Sequence, residues 1–158
     1  MLSAAALLLI CVTFPVGCKS SPEASFIGTF HMGEKVRVGP LVYQVSESNW
    51  RSELGNGGRT PKDRYLFVKV SITNTAGSTI AVPGLAIEGA GKTYNEVTED
   101  TDKVDNWFGL LRNIGPSQTE QGWVVFDAPM TAYKLIVTDA GEIGKEKVAH
   151  VDVPVQLE

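Results

Sequence analysis

The side chains best suited to chemistry fall between positions 96 and 106, in the run Glu96-Val97-Thr98-Glu99-Asp100-Thr101-Asp102-Lys103-Val104-Asp105-Asn106. A hard cation such as Ca2+ takes about six to eight oxygen ligands. Glu99, Asp100, Asp102 and Asp105, with Glu96, offer several from one loop. The spacing departs from the EF-hand loop, having neither its Gly at the sharp turn nor its closing Glu. The alternative is a solvated, like-charged loop beyond the strand that carries Tyr94. A cation that binds only the folded state raises the melting midpoint. Directly after the acidic run comes Trp107-Phe108-Gly109-Leu110-Leu111. Aromatic anchors of this kind dominate binding hot spots, but the same run could instead plug one open end of a sandwich. Trp50 poses the same choice, and its neighbours Ser48, Asn49 and Ser52 favour an exposed position. Trp50, Trp107 and Phe108 are therefore the binding candidates.

Other constellations are weaker. His31 and His150 lie at opposite ends of the domain sequence, neither in a metal-ligand spacing. With no G-x-S-x-G in the chain, neither has a strained serine to activate. Both are expected to be ordinary surface residues. Gly55-Asn56-Gly57-Gly58-Arg59 lacks the Lys-Ser/Thr and helix start of a phosphate cradle and is expected to be a hairpin tip. Carboxylate pairs are inevitable among 18 acidic residues, so they do not single out acid–base catalysis. The expectation is a noncatalytic protein with no cofactor; the alternatives are a Ca2+- or small-ligand-binding protein that uses the acidic–aromatic loop 96–111, and a hydrolase of unrecognised type.

The elements that position these residues are short strands. Leu66, Val68, Val70 and Ile72 alternate with Lys69, Ser71 and Thr73, the period of a half-buried strand. Val151, Val153, Val155 and Leu157 repeat the pattern, with Pro154 pointing to an edge or a bulge because it has no N–H to donate. Tyr133, Leu135 and Val137 form a third alternating set and Trp123–Phe126 a fourth. Weaker strands are expected over Lys35–Val38, Leu41–Trp50, Thr79–Glu88 and Lys92–Val97, and a helical turn over Asp105–Asn113. Gly-, Pro- and Asn-rich turns separate them. About seven or eight short strands so spaced indicate an all-β, immunoglobulin-like antiparallel β-sandwich, with Trp123 as its expected central aromatic.

The chain has 158 residues and a net charge of −4, enough for one domain and poor in the basic surface that nucleic acid requires. Its two cysteines, Cys11 and Cys18, both precede the sandwich. Leu2–Val16 is almost wholly apolar, short for a membrane span and suited to a signal peptide. Pro15-Val16-Gly17-Cys18 resembles the lipobox of bacterial lipoproteins, which implies cleavage after residue 17 and acylation of Cys18. Pro15 stands where that family usually has Leu, and no Lys or Arg precedes the apolar run. Two or three acyl chains would hold the protein on a membrane where one holds only marginally. Residues 18–33 then serve as lipidated cysteine and flexible tether, giving the domain over 34–158 a clearance on the order of 20 Å. The alternative is a secreted soluble form.

A further resemblance runs through the body. Gly33–Gly39 (G-E-K-V-x-V-G), Val68–Asn74 (V-x-V-S-I-T-N), Gly91–Tyr94 (G-K-T-Y), Gly115-Pro116 and Gly122–Pro129 (G-W-V-V-F-D-A-P) follow in order. Together they resemble the immunoglobulin-like domain of unknown function found in many bacterial lipoproteins, similar in fold to a secreted mycobacterial immunoprotective antigen. These motifs make turns and strand ends. The resemblance implies a lipid-anchored module on the non-cytoplasmic side of the bacterial cell envelope, meeting the membrane through Cys18 and an envelope protein or ligand through its loops.

Overall fold

A computed structural model of the chain describes residues 25–55 and 57–155. Cys18, the signal segment, and the positions Gln156 and Leu157 lie outside the described residues. The described strands are β1 (Ser25–His31), β2 (Lys35–Val38), β3 (Leu41–Arg51), β4 (Arg64–Asn74), β5 (Ile80–Val82) and β6 (Ala86–Gly89). They continue as β7 (Lys92–Asn95), β8 (Arg112–Ile114), β9 (Thr119–Ala128), β10 (Tyr133–Thr138) and β11 (Lys147–Val153). One sheet has the order β1-β11-β10-β6-β7 and the other β2-β3-β4-β9, while β5 and β8 pair separately. The pairings are antiparallel except that β1 runs parallel to β11.

The fold is a β-sandwich, as the alternation requires. Leu66, Val68, Val70 and Ile72 of β4 are buried against Leu135 and Val137 of β10 and Val151 of β11, with Tyr43, Val124 and Phe126 in the same cluster. Burying a side chain of this size contributes ~1.5–3 kcal/mol, so the cluster is the main source of cohesion in a domain with no disulfide.

Five expectations change. Ser25–His31, within the segment read as tether, is an edge strand beside β11. The stretch 79–88 divides into β5 and β6, because Pro83-Gly84 interrupts a ladder with a missing donor and a flexible residue. The helical turn expected over 105–113 falls instead at Thr101–Lys103. β11 is internal, and it stops at Val153 ahead of Pro154, so the proline never enters a ladder. Trp123 faces away from the main cluster, where it packs on a second one formed by Leu54, Tyr65, Phe67, Val97, Val104 and Val125.

Two tyrosines tie the layers together. The Tyr43 hydroxyl donates to the Thr138 carbonyl at 2.6 Å, and burial pushes its phenol well above the ordinary value. Tyr133 donates to the Pro129 carbonyl at 2.8 Å; burial first, then Tyr94 beside it, pushes its phenol up to about 12. A raised tyrosine pKa means that the folded state holds its proton more tightly than the unfolded chain. That contribution is complete below about pH 10, the unfolded value, and is lost as pH rises through the folded one. Denaturation at stepped pH should therefore show stability falling above about pH 10. Ionisation of Tyr43 near pH 10 with the fold intact would refute its burial.

Candidate functional site

The chain between β7 and β8 carries most of the sequence candidates, and a buried ion pair fixes both of its ends. Glu96 bridges to Phe126 of β9 just beyond β7, and Arg112 opens β8. Their side chains are 3% and 0% exposed and pair through both carboxylate oxygens. Arg112 Nη1 donates to Glu96 Oε1 at 2.9 Å, and Nη2 donates to Oε2. The Leu85 N–H also donates to Oε1, and Arg112 Nη1 reaches the Pro83 carbonyl at 3.2 Å. The Phe108 ring lies 4.9 Å from the guanidinium, a cation–π contact in a desolvated place. This bidentate fork is strongly directional. It joins β7, the β5–β6 break and β8, so Glu96 is committed to structure and unavailable as a calcium ligand.

The remaining acidic residues are exposed around the turn at Thr101–Lys103. Asp100 has φ 56° and Asn106 φ 54°, the left-handed region that Asp and Asn tolerate better than other side chains. Glu99 accepts from Arg59 Nη1 at 3.0 Å on the surface. Among the described residues no three acidic, His or Cys side chains are placed to share a metal ion. Glu99, Asp100, Asp102 and Asp105 are not brought together as such a group.

The three aromatic candidates are half-buried and packed. Trp107 forms a bridge with Trp123 and packs on the second cluster, while Phe108 packs on the main one. Trp107 covers the outer face of β4 and β9, while the Phe108 backbone passes close over Gly122 of β9. Gly122 permits it, since a Cβ there would lie 2.7 Å from the Phe108 Cα and 2.8 Å from the Asn106 carbonyl oxygen. Trp50 also turns inward. The register slips between Val45 and Glu47, and one extra residue reverses which positions face the core. Leu41, Tyr43 and Val45 point in before the slip, and Ser48 and Trp50 after it. Trp50 meets Tyr133 at 6.2 Å, and Tyr133 meets Tyr94 at 5.7 Å.

The histidines lie on β1 and β11. His31 Nδ1 is 3.6 Å from Asp152, and His150 Nδ1 is 3.6 Å from Glu88. His150 is only 17% exposed because the Phe26 ring of the unexpected strand β1 covers it. It is not the plain surface residue that the outward face of a terminal strand implied.

Sequence reading missed the Glu96–Arg112 pair. It spans 16 positions across a loop with no periodicity, and only the place of Arg112 two residues before Ile114, on the inward side of a short strand, hinted at it. It also missed a group of exposed aliphatic side chains around Ile143.

Comparison with known proteins adds the following. Residues 30–148 match the family described as a domain of unknown function, DUF4352. The YjhA protein of Bacillus subtilis is similar in structure, with a TM-score of 0.59 and 14% identity over 78% of this chain and 99% of that one. A "putative lipoprotein" of Bacillus subtilis, YcdA, has a TM-score of 0.59 and 12% identity over 77% of this chain and 38% of that one. A functionally unknown protein from Listeria monocytogenes has a TM-score of 0.57 and 10% identity over 78% and 82%. At these identities the likeness concerns the fold. No curated protein sequence matches.

Proposed function

Because the chain belongs to the DUF4352 family, a domain of unknown function, we propose that it is a noncatalytic, lipid-anchored module of the bacterial cell envelope, acting through protein contacts. One observation carries the reading. A lipobox-like Pro15-Val16-Gly17-Cys18 stands only six residues ahead of a rigid sandwich that begins at Ser25. Two carboxylates of the candidate loop support it, because Glu96 is spent on Arg112 and Glu99 lies against Arg59. The similar fold of YcdA, described as a "putative lipoprotein", is compatible with this reading. In this reading Cys18 carries the address, and partners meet the surface away from the committed loop.

The Cys18→Ala variant tests it by cell fractionation. The parent protein should remain with the membrane and the variant should appear in the soluble fraction, since removing the acyl chains removes ~0.8 kcal/mol for every buried methylene. An unchanged distribution would defeat the lipoprotein reading.

A further inference from the structure

The described residues include six large apolar side chains that stand out into water, and five of them gather at or beside one end of the sandwich. Ile143 is 95% exposed, Leu111 90%, Phe26 57%, Leu110 45% and Ile27 44%, while Met130 belongs to the other end. Leu110, Leu111 and Ile143 line one groove of about 550 Å3 beside Glu146. The Glu146 carbonyl accepts from the Ser25 N–H at 3.0 Å, so Phe26 and Ile27 follow immediately from this place. Exposed aliphatic residues clustered like this are unusual on a monomer and mark an interaction surface.

From this cluster we infer that the Ser25 end of the domain is a lipid-contacting face, its aliphatic side chains dipping into the interfacial layer of the bilayer that holds the Cys18 acyl chains. The inference rests on the lipid anchor proposed above and goes further by giving the domain an orientation. Its occupant follows from chain length. Lys19–Ala24 are the only residues between Cys18 and Ser25, and seven residue steps span at most about 25 Å even when fully extended. An anchor on Cys18 therefore keeps this end within about 25 Å of the membrane and leaves the opposite end, with the β6–β7 turn, the farther from it.

Local charge is suited to apolar contact. Lys145 pairs with Glu142 at 2.8 Å, and Asp139 accepts from the Gly141 and Lys147 N–H groups, each at 3.1 Å. With Lys145 balanced by Glu142 among the described residues, the contact is argued from apolar area and should resist salt. The opposite end is closed by Trp50, Tyr94 and Tyr133 packing on one another. The two ends are chemically distinct.

The test uses the full chain, exported and purified from membranes, with Ile143→Cys, Leu111→Cys or Lys92→Cys as the attachment point for an environment-sensitive fluorophore. Ile143, Leu111 and Lys92 are all exposed, so the substitutions leave the core intact. The parent chain sets the labelling background. Each protein is mixed with phosphatidylethanolamine–phosphatidylglycerol vesicles and floated. Labels at positions 143 and 111 should brighten several-fold on the vesicles at low and high salt, and the label at 92 should not. Flotation with all three labels equally water-like would overturn the lipid-facing surface while leaving the anchor intact. Failure to float would overturn the anchor and the inference with it. Brightening at 143 and 111 that needs no vesicles and grows with protein concentration would assign the face to a second copy of the chain, overturning the lipid contact.

Discussion

Replacing Glu96 by glutamine lowers the stability of the folded domain by about 3–5 kcal/mol, the cost of leaving a buried charge without its partner. The size follows from the surroundings of Arg112, whose side chain is 0% exposed and has Glu96 as its counter-ion. Glutamine keeps an oxygen for the Leu85 N–H, but it cannot balance the guanidinium. Chemical denaturation followed by far-UV circular dichroism should show a lower midpoint. The loss should shrink when Arg112→Met accompanies Glu96→Leu, because apolar replacement of both partners is often neutral or stabilising. A loss below about 1 kcal/mol, the scale of an exposed pair, would mean that water reaches the pair. Because it ties down both ends of the 96–112 crossing, the single variant should also free the segment bearing Trp107 and Phe108. Trp fluorescence should then shift before global unfolding.

Asn74→Ala should cost about 3 kcal/mol, because it leaves the buried Ile114 carbonyl and two part-buried turn groups without their partner at once. Asn74 is fully buried at the end of β4. Its Nδ2 donates to the Ser78 and Ile114 carbonyls, both at 2.8 Å, and its Oδ1 accepts from the Ala76 N–H at 2.8 Å. One side chain therefore closes the 75–78 turn and fastens β8 to β4. Asn74→Asp should do no better, since an ionised carboxylate only accepts and would face two carbonyl oxygens. Thermal melts of both variants check this. A melt of Asn74→Asp matching the parent would contradict the bonding pattern.

How far the sequence disclosed these features depended on whether a signal was local. The inward set Leu66, Val68, Val70 and Ile72 was legible because β4 is central, with one face always turned to the core. Strand β1 was hidden because an edge strand exposes both faces, and Phe26, Ile27 and Phe30 follow no period around Gly28. Trp50 was misplaced by a single bulge at Ser46, which no polar neighbour announces. Trp123 kept its alternation but on the opposite face, because the 97–107 segment covers β9 and makes a second buried surface. The acidic loop suggested a cation, whereas its most buried member answers an arginine 16 positions away. Asn74 was visible as the end of a strand motif, and its three bonds were not, since their partners belong to a turn and to β8.

Resemblance reached further for address than for activity. The lipobox-like segment and the sandwich motifs come from independent parts of the chain, and only the second lies within the described residues. Joining them supplies an orientation. The rigid domain starts six residues after the proposed anchor, with its exposed aliphatic side chains gathered at that start and its aromatic-closed end directed away.

The most direct measurement is the intact mass, with N-terminal fragmentation, of the protein purified from bacterial membranes. The account predicts a mature chain whose first residue is Cys18, carrying a thioether-linked diacylglycerol. A chain that begins at another residue, or one whose Cys18 is unmodified, would contradict it.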